Sequence, residues 1–246
     1  MNNLSALLFK IQNSYIHFGQ YKGLCLEFDE KLLAYVSETK TIDHFSLKKL
    51  IVDMERERLG SSLTITRALQ QLIKIRENDN NYQQSILAIA ARHNLCQAIP
   101  MKIQLSKITS QNLVPDFLLY LALTENNGLV EFCKKQVIKH RKMYYYLQYM
   151  LPHEINYKKD KYILQESIMQ KEFEKNLNEE YLKEYEVGLY HCDFFLPKSN
   201  TIIEVNGYKH YIHFKDRKTG NYQQKYNYLI KKGYNVREID NNNQHI

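Results

Sequence analysis

Apolar residues recur at helical spacing between about residues 44 and 150, and the recurrence breaks at short intervals where turn-forming residues cluster. In "TITRALQQLIKIR" the spacing puts Ile65, Leu69, Leu72 and Ile73 on one stripe, with Thr64 or Thr66 as the cap, and "NDNNYQQ" ends the helix. "SILAIAARHNL" gathers Ile86, Ile89, Ala90 and His93 on one face, where a histidine packs or caps before it serves as a ligand. "VPDFLLYLAL" opens a third helix with an early proline followed by aspartate, and after "ENNG" a long helix is predicted from Leu129 to about Met150. Each antiparallel pair is too small to bury its apolar face alone. Residues 44–150 are therefore expected to form a helical domain, either stacked helix pairs or an irregular bundle, and no clean repeat period separates the two.

Past this region the pattern shifts. "LPHEINYKKDK" joins a proline to a charge cluster and assigns residues 151–162 to a linker. "ILQESIMQKEFEKNL" then reads as an amphipathic helix with Leu164, Ile168, Phe173 and Leu177 inward. "EYEVGLYHCDFFLP" is strand-like around Asp193, "TIIEVN" is a buried strand, and "HYIHF" is a short third one. "NYQQKYNYLIKKG" is a helix closed by Gly233, followed by a last strand, "NVREI". The predicted class is α+α/β: a helical domain, then a small α/β domain over residues 163–246. Residues 1–43 are left as an N-terminal segment, either targeting or extended.

With 246 residues the chain is long enough for two such domains. Its formal charge of +7 and pI near 9.0 favour polyanionic partners, and the excess is uneven. Residues 1–160 hold 21 Lys and Arg against 15 Asp and Glu, while residues 161–246 hold 13 against 12. The cations concentrate in "KKQVIKHRK", which contributes Lys134, Lys135, Lys139, Arg141 and Lys142 to one helix, with Tyr144 beside them. Tyrosines next to cations can stack bases of single-stranded RNA, so these six are the candidate RNA-binding residues. Cys25, Cys96, Cys133 and Cys192 are widely spaced and suggest neither a zinc knuckle nor a disulfide framework. No apolar run has the length of a membrane span, and no membrane association is expected. The first 26 residues lack acids and carry Lys10 and Lys22 around "LSALLFKI", in the manner of an organelle-targeting segment.

Candidate chemistry lies in the last third. Asp193 and Glu204 fall on consecutive predicted strands, where pairing would bring two carboxylates within several ångströms, a spacing that can hold Mg²⁺. Glu172, on the preceding helix, can offer a third oxygen. The succession "DFFLP", "IIEVNGYKH", "TGNYQQK" and "GYNV" resembles the RAP domain, an RNA-binding module related to the PD-(D/E)XK nuclease fold. The resemblance spans about residues 163–240. It rests on Asp193, Glu204, Gly207, His210, Gly220, Lys225 and Gly233.

What the resemblance implies is a restriction-endonuclease-like α/β domain in a protein of mitochondria or chloroplasts that acts on organellar transcripts or ribosomal RNA. Asn206 stands where an active nuclease of the wider fold carries its lysine, and an amide cannot offset charge on a phosphorane-like transition state. Lys209 or Lys225 would have to reach in from elsewhere. Asn206, His210, Lys209, Lys225 and Glu172 complete the expected pocket. The sequence thus points to a mitochondrial RNA-binding protein without enzymatic activity or cofactor, either a ribosome component in contact with ribosomal proteins or a factor in rRNA or mRNA maturation. The alternatives are a nuclease with Mg²⁺ held by Asp193 and Glu204, and a structural subunit that binds only protein.

Overall fold

The computed structural model describes residues 2–13, 18–38, 42–109, 112–126, 167–206, 210–212 and 216–239. These residues form eight α-helices and a small mixed sheet that follows the helical region, the α+α/β class expected. The helical unit comprises α1 (Asn2–Asn13), α2 (Phe18–Glu38), α3 (His44–Arg56), α4 (Ser62–Ile75), α5 (Asn80–Arg92) and the short α6 (Phe117–Leu123). The predicted helix from Leu129 and the 151–162 linker lie outside the described residues.

Three of these helices begin at side-chain caps. Asp43 accepts the Phe45 and Ser46 N–H groups, Ser61 accepts that of Thr64, and Asp79 that of Tyr82. The cap of α4 is thus Ser61, not Thr64 or Thr66: Thr64 lies one turn inside and is fully buried. The expected stripe is otherwise in place, with Ile65, Leu69 and Leu72 buried and Ile73 packed at the margin. All six helices contribute to one apolar core. Residues 2–13 and 18–38 are not extended, because Leu4, Leu7, Leu8, Ile11, Phe28, Leu32 and Val36 recur at helical spacing and close one side of that core.

The second unit runs α7 (Ile168–Lys175), β1 (Leu182–Val187), β2 (Tyr190–Leu196), β3 (Thr201–Val205), β4 (Tyr211–Ile212), β5 (Arg217–Lys218), α8 (Gly220–Lys231) and β6 (Asn235–Ile239). The main sheet has the order β1-β2-β3-β6, antiparallel except for the parallel β3–β6 pair that the α8 crossover permits. "EYEVGLYHCDFFLP", read as one strand, is a hairpin. Gly188 takes φ +60° at the first central position of a two-residue turn that closes Val187 onto Tyr190. Apolar clusters lie on both sides of the sheet, one with Tyr228 and Leu229 of α8, the other with Met169 and Phe173 of α7.

The two units share a tight seam. α8 begins against α5 and α6, and a Cβ placed on Gly220 would stand 1.9 Å from the Ala91 carbonyl oxygen, so only glycine lets the backbones approach this closely. Beside it, the small β4–β5 hairpin sends Arg217 into the helical unit. Its Nε donates to the His93 carbonyl at 2.8 Å, and both terminal nitrogens donate to the Gly60 carbonyl at 3.1 Å. One terminal nitrogen also reaches His93 Nδ1 at 3.4 Å, while His93 Nε2 lies 3.3 Å from the Ile51 carbonyl. A guanidinium only donates and a carbonyl only accepts, so this pair of contacts fixes a neutral His93 with its proton on Nε2. His93 is also the C-cap of α5, so the Arg217 guanidinium on its carbonyl offsets the negative end of that helix.

Two outcomes follow from the seam. Gly220→Ala, which an isolated helix would favour by about 1 kcal/mol, should instead destabilise the protein by about 1–3 kcal/mol, read as a lower urea midpoint. The second concerns pH. Burial, reinforced by Arg217, lowers the His93 pKa from 6.5 to about 3, with Arg92 and Arg58 acting the same way. The unfolded chain then takes up a proton that the native state refuses. Stability from this residue is complete above pH 6.5 and falls toward pH 3 by up to about 1.4 kcal/mol per unit. Urea midpoints measured across that window should decline more steeply in wild type than in His93→Gln.

Candidate functional site

The candidate site forms where two antiparallel strands part. The β2–β3 ladder pairs Leu196 with Thr201, Phe195 with Ile202 and Phe194 with Ile203, and there its pairing ends. At the next position the Asp193 carboxylate replaces the partner strand: Oδ2 accepts the Val205 N–H at 2.6 Å. Its other oxygen, Oδ1, accepts from Gln170 Nε2 of α7 at 2.5 Å. The same glutamine closes a capping box, Oε1 taking the Ser167 N–H at 2.6 Å while Ser167 Oγ takes that of Gln170 at 3.1 Å. The start of α7 and the position of Asp193 are therefore one arrangement.

Glu204 sits on β3, within the apolar "TIIEV" strand, and is 4% exposed. A carboxylate so placed needs a partner, and Lys225 of α8 supplies it. Its Nζ donates to Oε2 at 2.7 Å, stands 2.6 Å from Oε1 as an ion pair, and donates to the His191 carbonyl at 2.7 Å. Burial pushes Glu204 well above the usual carboxylate range against the pull of Lys225, with Asp193 adding to the rise. For Lys225 burial acts downward, and the Glu204 carboxylate overcomes it, so the ammonium is held above its ordinary pKa. Asp193 is raised by burial, opposed by the Val205 N–H and by Lys225. The Cys192 thiol alongside is pushed up by burial and then by Glu204, which keeps it protonated.

A second polar chain begins two residues after Glu204. Asn206 Nδ2 donates to the Tyr222 hydroxyl, which donates to Glu238 Oε1 at 2.7 Å; Lys218 Nζ lies 3.2 Å from the same oxygen. Burial and the Glu238 acceptor hold Tyr222 protonated. The backbone N–H of Asn206 donates to the Ile239 carbonyl at 2.8 Å, continuing the β3–β6 pairing. Asn206 is thus committed to holding α8 and β6 together at this edge.

Of the pocket read from the sequence, Asp193, Glu204 and Lys225 come together. Glu172 does not join them: it is exposed on α7, and Gln170, two residues earlier, takes the inward position. His210 is exposed, with its ring 4.8 Å from that of Tyr222 and its carbonyl accepting the Thr219 N–H at 2.8 Å, so it belongs to the Tyr222 chain. Lys209 lies outside the described residues, as do Lys134, Lys135, Lys139, Arg141, Lys142 and Tyr144. Gln170, Tyr222, Glu238 and Lys218 are polar residues of the site that the sequence reading missed. The "SIMQ" capping-box spacing was the available signal for Gln170. For Tyr222 and Glu238 no local signal exists, because α8 and β6 meet Asn206 only through the fold.

No protein-family model matches this chain, and a search of curated proteins finds no match. The arrangement has to be judged on its own chemistry. A Mg²⁺ ion bound by Asp193 and Glu204 would need free carboxylate oxygens. Here Gln170 and Val205 hold both oxygens of Asp193, and the Lys225 ammonium binds Oε2 of Glu204, while Oε1, 2.6 Å from the same nitrogen, accepts no hydrogen bond. Among the described residues no third carboxylate, imidazole or thiol completes a ligand set. As arranged, the Lys225 ammonium occupies the place where the charge of a divalent cation would be.

The pair should behave as a buried structural ion pair. Lys225→Met leaves Glu204 buried without a counter-charge and should cost about 3–5 kcal/mol by equilibrium denaturation, while Lys225→Met with Glu204→Gln should recover most of the loss. Strict additivity of the two single variants would show that the residues do not act together.

Proposed function

We propose that the protein is a mitochondrial RNA-binding protein whose C-terminal unit is a restriction-endonuclease-like domain without catalytic activity. Its place is in the mitochondrial ribosome or in rRNA or mRNA maturation. The observation that carries the reading of an inactive site is the engaged carboxylate pair, with Lys225 across Glu204 and two N–H donors on Asp193. Supporting the fold-level reading is the order helix, three strands of the main sheet, the β4–β5 hairpin, helix and last strand, with the two acids where β2 and β3 separate. RNA is favoured by the basic balance of the chain and by the resemblance of residues 163–240 to RAP domains. The mitochondrial assignment rests on that resemblance, since the helix of residues 2–13 has a structural use in the core.

One observation favours a second reading. Lys225 brings to the two acids the cation that Asn206 lacks, so a metal-dependent nuclease with a displaced lysine is the competing function. In that case a metal would have to displace the ammonium from Glu204. The assay that separates them incubates the protein with labelled single- and double-stranded RNA and DNA in Mg²⁺ or Mn²⁺. We expect RNA binding that persists in chelator and no cleavage. Metal-dependent cleavage that is lost in Glu204→Ala would establish the nuclease instead.

A further inference from the structure

Away from the carboxylates, the N-terminal ends of α3 and α5 and the C-terminal end of α4 meet at a small aromatic surface. Phe45 is 67% exposed, with its ring centroid 4.1 Å from that of His44. The guanidinium carbon of Arg76 lies 5.5 Å from the Phe45 ring centroid and 5.4 Å from that of Tyr82. Lys48 Nζ stands 5.3 Å from the Tyr82 ring, and the His44 ring approaches it edge-on at 5.9 Å. Tyr82 is only 7% exposed, yet its hydroxyl has no hydrogen-bond partner.

Cations and acids are interleaved at this surface. Its two acids are committed to helix starts: Asp43 accepts the Phe45 and Ser46 N–H groups and the Ser46 hydroxyl, and Asp79 accepts the Tyr82 N–H at 2.9 Å. Asp79 reaches Arg76 at 3.6 Å, and Arg92 is engaged by Asp116 at 2.8 Å. Lys48 is held below its ordinary pKa by burial, then by Arg92 and Arg76, against the opposing pull of Asp79. A phosphate would add an anion beside Lys48 and Arg76, and a flat base would cover the exposed part of the Phe45 ring, which His44 supports from within.

We propose that Phe45, Arg76, Tyr82 and Lys48 form a stacking site for an unpaired nucleotide of RNA, the base lying on Phe45 and its phosphate held by Lys48 and Arg76. This rests on the RNA-binding reading and adds to it a defined contact on the helical unit with a preference for single strands. Base-paired RNA offers no free face to Phe45, so a duplex should not use the site.

The chain contains no tryptophan, which makes a direct test available. Phe45→Trp introduces a single indole at the exposed position, and titration with a short oligouridylate should quench its emission along the same curve that anisotropy of a labelled oligouridylate follows. A duplex RNA should leave the emission unchanged. Phe45→Ala and Arg76→Gln should each weaken oligouridylate binding, the former about ten-fold, with thermal melting close to that of wild type. Binding by anisotropy with an unmoved indole and an unweakened Phe45→Ala variant would overturn this site while leaving RNA binding intact. Absence of any anisotropy change with wild type would overturn both.

Discussion

The insertion of Arg217 into the helical unit is the contact on which the relation between the two halves depends. A guanidinium whose side chain is 8% exposed must satisfy all its N–H groups, and it does so on the Gly60 and His93 carbonyls, His93 Nδ1, Ser62 and Asp216. Gly60 follows α3 and His93 closes α5, so one side chain ties the ends of two helices to a two-stranded hairpin. Gly220 then sets how closely α8 can lie against α5. Neither residue works without the other: the hairpin ends where α8 begins, and a shift of either would pull the second out of place. Ser62 with Asp216 and Asn94 with Gln223 add weaker polar contacts along the same seam.

This seam reaches the carboxylate pair through α8. Gly220 is fixed against Ala91, and Lys225 lies five residues further along the same helix, so the depth at which α8 docks decides where the ammonium meets Glu204. The "TG....K" spacing therefore has a physical meaning that requires no catalysis. Its glycine serves contact between units and its lysine neutralises an acid on the central strand. In the same region Asn206 binds Tyr222 instead of presenting a charge, which gives the strand end a structural task. Both facts give the polar residues of this region a part in holding the fold.

Much of the architecture was legible because it depends on local period. The stripe of α4, the face of α5, the α8 helix with its glycine end and the β6 strand all follow from spacing that neighbours alone enforce. The errors arise where a single residue or a distant partner decides. Gly188 turned one expected strand into two, and Ser61 capped α4 from outside the apolar pattern. Asp193, Glu204 and Lys225 were readable as candidates, since acids in apolar strands need partners. That Lys225 would pair with Glu204 was not, because it depends on how deeply α8 sits against the helical unit. His93 was readable as a packed or capping residue. The arginine that meets it comes from 124 positions away, and no local pattern announces it.

Gln170 carries a different consequence. In most capping boxes glutamate and glutamine serve equally, since only an acceptor for the backbone N–H is required. Here the side chain must accept at one end and donate at the other, and only an amide has both ends. A glutamate would preserve the helix start and bring a second carboxylate against Asp193. Two residues that helix propensity treats as interchangeable are separated at this position by the charge beyond them, so the choice of amide records the presence of Asp193 as clearly as the acid itself.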